Sequence, residues 1–201
     1  MRFFYVAAMT AMVLFCAVPA KASVPYYNRD LGYTIWLAKG WKEVSPSILD
    51  QAEFLDGIVS GMDSAGRSAG YVLEDREAHL TVTELHGRVV SKTAINNFNR
   101  YVVRQVSRHA KDGCAKRSVC LRRANFDKAK NMLRMELDAH DSDGRPITSV
   151  IYIVYTSQCM IKCVGTVLRG DEDGLRDIDA TVSSLYFDRG LRQETVGALL
   201  Y

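Results

Sequence analysis

Hydrophobic and polar positions along this chain change period several times, and each change marks a new element. In "DLGYTIWLAKGW", Tyr33, Ile35 and Leu37 fall on one face at period two, which predicts a strand. Asp30-Leu31-Gly32 before it and Lys39-Gly40 after it are turn chemistry, and Trp41 opens a second short extended piece. In "SPSILDQAEFLDGIVSGMD" the period moves to helical spacing. Ile48, Leu49, Ala52, Leu55, Val59 and Met62 form the stripe, with Ser47 and Asp50 as a capping box. "AGYVLEDREAHLTVTELHGRVV" predicts two strands about a charged turn at residues 75–77. "SKTAINNFNRYVVRQVSRH" predicts a second helix capped by Ser91, with Ile95, Phe98, Val102 and Val106 facing inward. Residues 120–168 predict a four-strand meander with turns at 127–130, 141–144 and 156–158. "DEDGLRDIDATVSSLYF" predicts a last helix with Leu175, Ile178 and Val182 inward. Asp171, Glu172 and Asp173 lie at its N-terminus, where negative charge suits the helix dipole.

The expected order is β-β-α-β-β-α-β-β-β-β-α. Strand runs joined by hairpins, with helices interspersed, place the chain in the α+β class: a largely antiparallel sheet with helices packed on it. Ahead of this pattern stands "MRFFYVAAMTAMVLFCAVPAKAS". Arg2 is a short positive region, residues 3–18 are almost all apolar, and Ala20-Lys21-Ala22 is a small-x-small cleavage pattern, so the segment reads as a secretory signal peptide. The stretch is shorter than the roughly 20 apolar residues that span a bilayer. A lipidated Cys16 is disfavoured because bulky Phe15 precedes it. Cleavage is expected between Ala22 and Ser23. The expected organisation is a signal peptide over 1–22, one domain over 23–188 and a tail over 189–201, with the mature protein periplasmic or secreted.

Removing 22 of the 201 residues leaves 179, and losing Arg2 and Lys21 lowers the formal charge from +3 to +1. A nearly neutral chain argues against nucleic acid as a partner, because that calls for a concentrated basic patch. No later stretch is long and apolar enough to span a membrane as a helix. The partner is then expected to be an envelope protein or a small ligand.

The sharpest enzyme motif is "GRSAG" at residues 66–70, which matches G-x-S-x-G and would make Ser68 a hydrolase nucleophile. That elbow needs a strand entering and a helix leaving. Here the predicted order is reversed, and small residues in a helix-to-strand loop explain the match. His79, His86, His109 and His140 have no zinc-type spacing with one another or with a cysteine. His79 and His86 are an odd distance apart on one strand, so they face opposite ways. His109 ends the second helix, where positive charge suits the dipole. His140 abuts Asp141-Ser142-Asp143-Gly144, which is ordinary turn chemistry. "DSDG" also matches the start of a calcium loop, but the downstream ligands of such a loop are missing. No catalytic, metal or cofactor-binding residue is assigned, and no cofactor is implied.

Export leaves four cysteines, an even count that favours disulfides in an oxidising compartment. A four-thiolate zinc site is the alternative, and C-x5-C with C-x3-C does not suit it. Cys114 and Cys120 flank a polar loop that can fold back to disulfide distance. Cys159 and Cys163 would lie about 13 Å apart in a regular strand, beyond disulfide reach. Cys120 and Cys159 fall at opposite ends of the meander, which argues against exchange between the pairs. The expected pairs are therefore Cys114–Cys120 and, given a tight turn at residues 160–162, Cys159–Cys163.

"YNRDLGYTIWLAKGW" resembles the opening of PsbP-like domains, where an aromatic-rich strand enters a Gly-Trp turn, and "DIDATVSSLYF" with the long meander resembles their end. The group includes the photosystem extrinsic protein PsbP, the Ran-binding Mog proteins and bacterial envelope proteins such as DcrB. The resemblance implies an α/β/α sandwich around an antiparallel sheet and an accessory or binding role. Such domains share no catalytic site, so no residue role carries over. The four cysteines depart from the usual pattern. The two functional readings are an exported, non-catalytic binding protein and, as the alternative, a serine hydrolase using Ser68.

Overall fold

The computed structural model describes residues 23–49, 64–85, 91–111, 119–156 and 159–187. Along them run β1 (Ser23–Asn28), β2 (Tyr33–Ala38), β3 (Trp41–Val44), β4 (Ser64–Leu73), β5 (Ala78–Leu85), α1 (Lys92–Lys111), β6 (Cys120–Asp127), β7 (Met132–His140), β8 (Pro146–Tyr155), β9 (Met160–Leu168), α2 (Glu172–Ser183) and β10 (Tyr186–Phe187). Seven strands form one sheet in the order β3-β4-β5-β9-β8-β7-β6, and β1-β2-β10 form a second. Every pairing is antiparallel. The class is α+β.

The meander lies where its pattern predicts it, with Asp127, Asp141 and Thr156 at the turns. Asp127 Oδ1 accepts from the amides of Ala129 and Lys130, and Asp141 O accepts from Gly144 N at 3.0 Å. The Ser91 cap holds, Asp171 caps the last helix as well as placing charge at its N-terminus, and the Ser47–Asp50 box extends outside the described residues. Ser91 Oγ accepts from Ala94 N at 3.1 Å, and Asp171 Oδ1 from Gly174 N at 2.9 Å.

Strand β8, "PITSVIYIVY", is buried from Ile147 onward. Its alternate residues serve two cores. Ile151, Ile153 and Tyr155 cluster with Ile95, Val102 and Val106 of α1. Val150, Tyr152 and Val154 cluster with Leu175, Ile178 and Val182 of α2 and with Tyr33, Ile35 and Leu37 of β2. A strand buried on both faces reads as a continuous apolar run.

Three expectations need correction. Strand β1 lacks a period-two signature in "SVPYYN", yet it pairs along its whole length with β2. Its turn is set locally: Asn28 Oδ1 accepts from Leu31 N at 2.9 Å, and Gly32 takes φ 64°. The final helix stops at Ser183, and the "YF" that follows pairs with β2 instead. Strand β4 begins at Ser64, so "GRSAG" lies in a strand and not in a loop. The helix expected over 47–62 falls largely outside the described residues; a 3-10 turn at Pro46–Ile48 is its described part.

Candidate functional site

Sheet register decides what each candidate side chain can reach. Ser68 pairs with Thr83 and Ala69 with Val82, after a register irregularity between Ser64 and Ser68. The Ser68 hydroxyl donates to Thr83 Oγ1 at 3.2 Å. Neighbouring Arg67 donates to the Asp30 carbonyl at 2.9 Å and pairs with Glu84 at 2.6 Å. Ser68 is thus held in extended backbone, where a nucleophile elbow would need a sharp turn into a helix. His79 is four residues from Thr83 on β5, about 13 Å along the strand, which is too far to act as a base on Ser68.

His79 instead lines a notch with Glu77, Asp141, Arg145, Thr166 and neighbouring apolar residues, about 160 Å³ in volume. This brings together the Glu77–His79 segment and the Asp141–Arg145 turn, whose paired residues Glu77 and Arg145 are 68 positions apart in the sequence. Arg145 donates through Nε to Asp141 Oδ2 at 2.7 Å and through a terminal nitrogen to Glu77 Oε2 at 2.9 Å. Its amide also donates to Asp141 Oδ1 at 2.7 Å. Burial works against the Asp141 charge, but these donors outweigh it and hold the carboxyl below the usual carboxylate range. Two carboxylates outnumber the one guanidinium, so the notch is net negative and repels an anionic ligand, and both carboxylates are already occupied by Arg145. The volume is also below the roughly 300–1,000 Å³ of ordinary small-molecule sites. The "DSDG" turn is therefore a structural corner whose first aspartate is spent on Arg145. His140 lies at the end of β7, and its buried Nδ1 has no hydrogen-bond partner among the described residues. His86 and the His109 side chain lie outside the described residues.

Cys159 and Cys163 are free thiols, both buried. The tight turn that their pairing required is absent: residues 160–168 are a continuous strand, and Cys163 lies between Val82 and Tyr152 in the sheet. The hairpin reverses earlier, at Thr156, whose amide donates to the Cys159 carbonyl at 3.0 Å. Burial pushes the Cys163 thiol up to about 12 and raises that of Cys159 as well. Buried, protonated thiols are poor nucleophiles and poor metal ligands. Cys120 is disulfide-bonded, and Cys114, its expected partner, lies outside the described residues.

A cluster of partly buried charge joins α2 to the large sheet. Arg134 donates to both oxygens of Asp179 at 2.8 and 3.1 Å and to Glu136 at 3.0 Å. Tyr152 donates to Asp179 Oδ1 at 2.5 Å, and its ring lies 6.0 Å from the guanidinium carbon. Burial disfavours the Arg134 charge, but Asp179 and Glu136 overcome it and raise the guanidinium further above its ordinary value. This clamp ties α2 to β7 and β8. A signal was present in "MLRMELDAH": Arg134, Glu136 and Asp138 alternate with apolar residues, so that face of the strand was bound to meet counter-charges.

No family model matches the chain, and no curated protein matches it. Among solved structures it is similar to a protein from Bacteroides thetaiotaomicron VPI-5482, at 13% identity and a TM-score of 0.49. That match covers 84% of this chain and 49% of the other, so the chain spans about half that protein's length. It is also similar to the solution structure of cyanobacterial PsbP (CyanoP) from Synechocystis sp. PCC 6803, at 14% identity and a TM-score of 0.49, covering 85% of this chain and 95% of the other. No functional residue is carried over from either structure.

Proposed function

We propose that this chain is an exported accessory or binding protein of the bacterial envelope that performs no chemistry of its own. The observation that carries the reading is the placement of Ser68 inside β4, its hydroxyl engaged with Thr83 and its register separating it from His79. Asp141 is likewise committed to Arg145, and the two described thiols are buried. Among the described residues, no helix is long and apolar enough to cross a membrane. In this reading residues 1–22 are a signal peptide removed after Ala22, and 23–188 form one domain. The domain is an α/β/α sandwich, with α1 on one face of the large sheet and α2 with β2 on the other; the two separate core clusters support that layering.

Serine-directed fluorophosphonate labelling tests the chemistry. The expected result is no stoichiometric labelling of Ser68; labelling abolished by Ser68→Ala would make the protein a hydrolase. Intact mass of envelope-purified protein tests export. A mature chain beginning at Ser23 is expected, and one that keeps Met1 or begins at a lipidated Cys16 would reject the cleavage site.

A further inference from the structure

Helix α1 carries lysine, arginine and histidine but no aspartate or glutamate. One flank of it faces β6, the edge strand of the large sheet. Between them lies an open groove of about 400 Å³, lined by Asn99, Arg100, Val103 and Arg104 from the helix and by Phe126 and Leu133 among the strand residues. Its floor is apolar. Arg100 and Arg104 stand on its rim, one helical turn apart and exposed. Among the described residues neither is ion-paired.

Asn99 lines the same groove and is only 7% exposed. The Tyr155 hydroxyl donates to its Oδ1. Tyr155 is kept protonated by burial and is fixed between Phe98 and Phe126, so the amide oxygen is spoken for. Among the described residues, Asn99 Nδ2 is then left as a buried donor with no partner. Such a group is costly to bury unless something accepts from it. A groove lined by a buried amide donor and two exposed arginines, with an apolar floor, is complementary to a planar oxyanion on an apolar chain. An added peptide strand suits the site less well. The β6 edge has a register irregularity between Leu121 and Arg123 and bears Arg122 and Arg123, features that block strand addition.

We propose that this groove binds a single-chain carboxylate amphiphile, its carboxylate held by Asn99 Nδ2, Arg100 and Arg104, and its chain lying on Val103, Phe126 and Leu133. The site is separate from Ser68, so the two readings succeed or fail independently. The test is calorimetric titration of the full mature protein with dodecanoate, kept below its micellar concentration, with amide NMR shifts to locate it. Saturable 1:1 binding with shifts confined to α1 and β6 is expected. Dodecanol, of equal chain length but uncharged, should bind at least tenfold more weakly. So should dodecanoate to the Arg100→Ala/Arg104→Ala variant, whose changes are on the surface and leave the core intact. Val103→Trp, which fills the groove, should abolish binding while circular dichroism stays native. Absence of saturable dodecanoate binding, equal affinity for dodecanol, or unchanged affinity in both variants would overturn the proposal.

Discussion

Gly165 lies on β9 directly beneath Ile178 of α2. A Cβ added there would stand 2.5 Å from Ile178 Cγ2 and 3.0 Å from its Cδ1. Carbon atoms rest at about 3.5–4.0 Å, so Gly165→Ala demands a shift of roughly 1 Å. Cγ2 sits on Cβ, and β-branched Ile is held to one χ1 rotamer in a helix, so moving it by rotation is unfavourable and α2 itself must lift. Overpacking of this kind costs about 1–3 kcal/mol. Replacing glycine by alanine in a strand returns about 0.5–1 kcal/mol of backbone entropy. The net expectation is a loss of about 1–2 kcal/mol, or a melting-temperature drop of roughly 2–8 °C for a domain of this size. Urea unfolding followed by the fluorescence of Trp36 and Trp41 measures it. Ile178→Ala alone should cost about 2–5 kcal/mol, because Ile178 is fully buried. Combined with Gly165→Ala it should cost less than the sum, since the new methyl group occupies part of the vacated space. A neutral or stabilising Gly165→Ala, or additivity within about 0.5 kcal/mol, would show that α2 does not rest on β9 as described.

The Arg134–Asp179 clamp predicts asymmetry. Asp179→Ala leaves a half-buried guanidinium with Glu136 alone and the Tyr152 hydroxyl without its acceptor, and should cost about 1–3 kcal/mol in the same assay, whereas Arg134→Met/Asp179→Leu should recover much of that loss. For the cysteines, non-reducing peptide mapping should recover Cys114 joined to Cys120, and iodoacetamide should modify Cys159 and Cys163 only after unfolding. Because the native Cys163 thiol titrates near 12, above its unfolded value of about 8.5, its contribution to stability is complete below about 8.5. That contribution is lost as pH rises toward 12, so Cys163→Ser should flatten the alkaline limb of a stability–pH profile. Rapid native alkylation, or Cys159 found joined to Cys163, would refute the buried-thiol assignment.

Local physical chemistry determined much of this protein on its own. Ser91 and Asp171 cap their helices with their own side chains. Ile95, Val102 and Val106 share a stripe because an α-helix repeats every 3.6 residues, and the meander turns fall at Asp127, Asp141 and Thr156. Those signals act over a few residues, so they are visible in a linear string. Pairings that depend on distant segments are not. β1 is a strand because β2 offers it partners, "YF" leaves the last helix because β2 has a free edge there, and "GRSAG" is extended because β5 pairs with it. The cysteine spacing was compatible with a turn or a strand. The pairing of β9 with both β5 and β8 chose the strand and left Cys159 and Cys163 unable to meet. The Arg134–Asp179 clamp, the His79–Asp141 notch and the Asn99 groove each join residues tens of positions apart. Only tertiary structure could assemble them, because closure of the sheet, and not any local preference, brings those side chains within reach of one another.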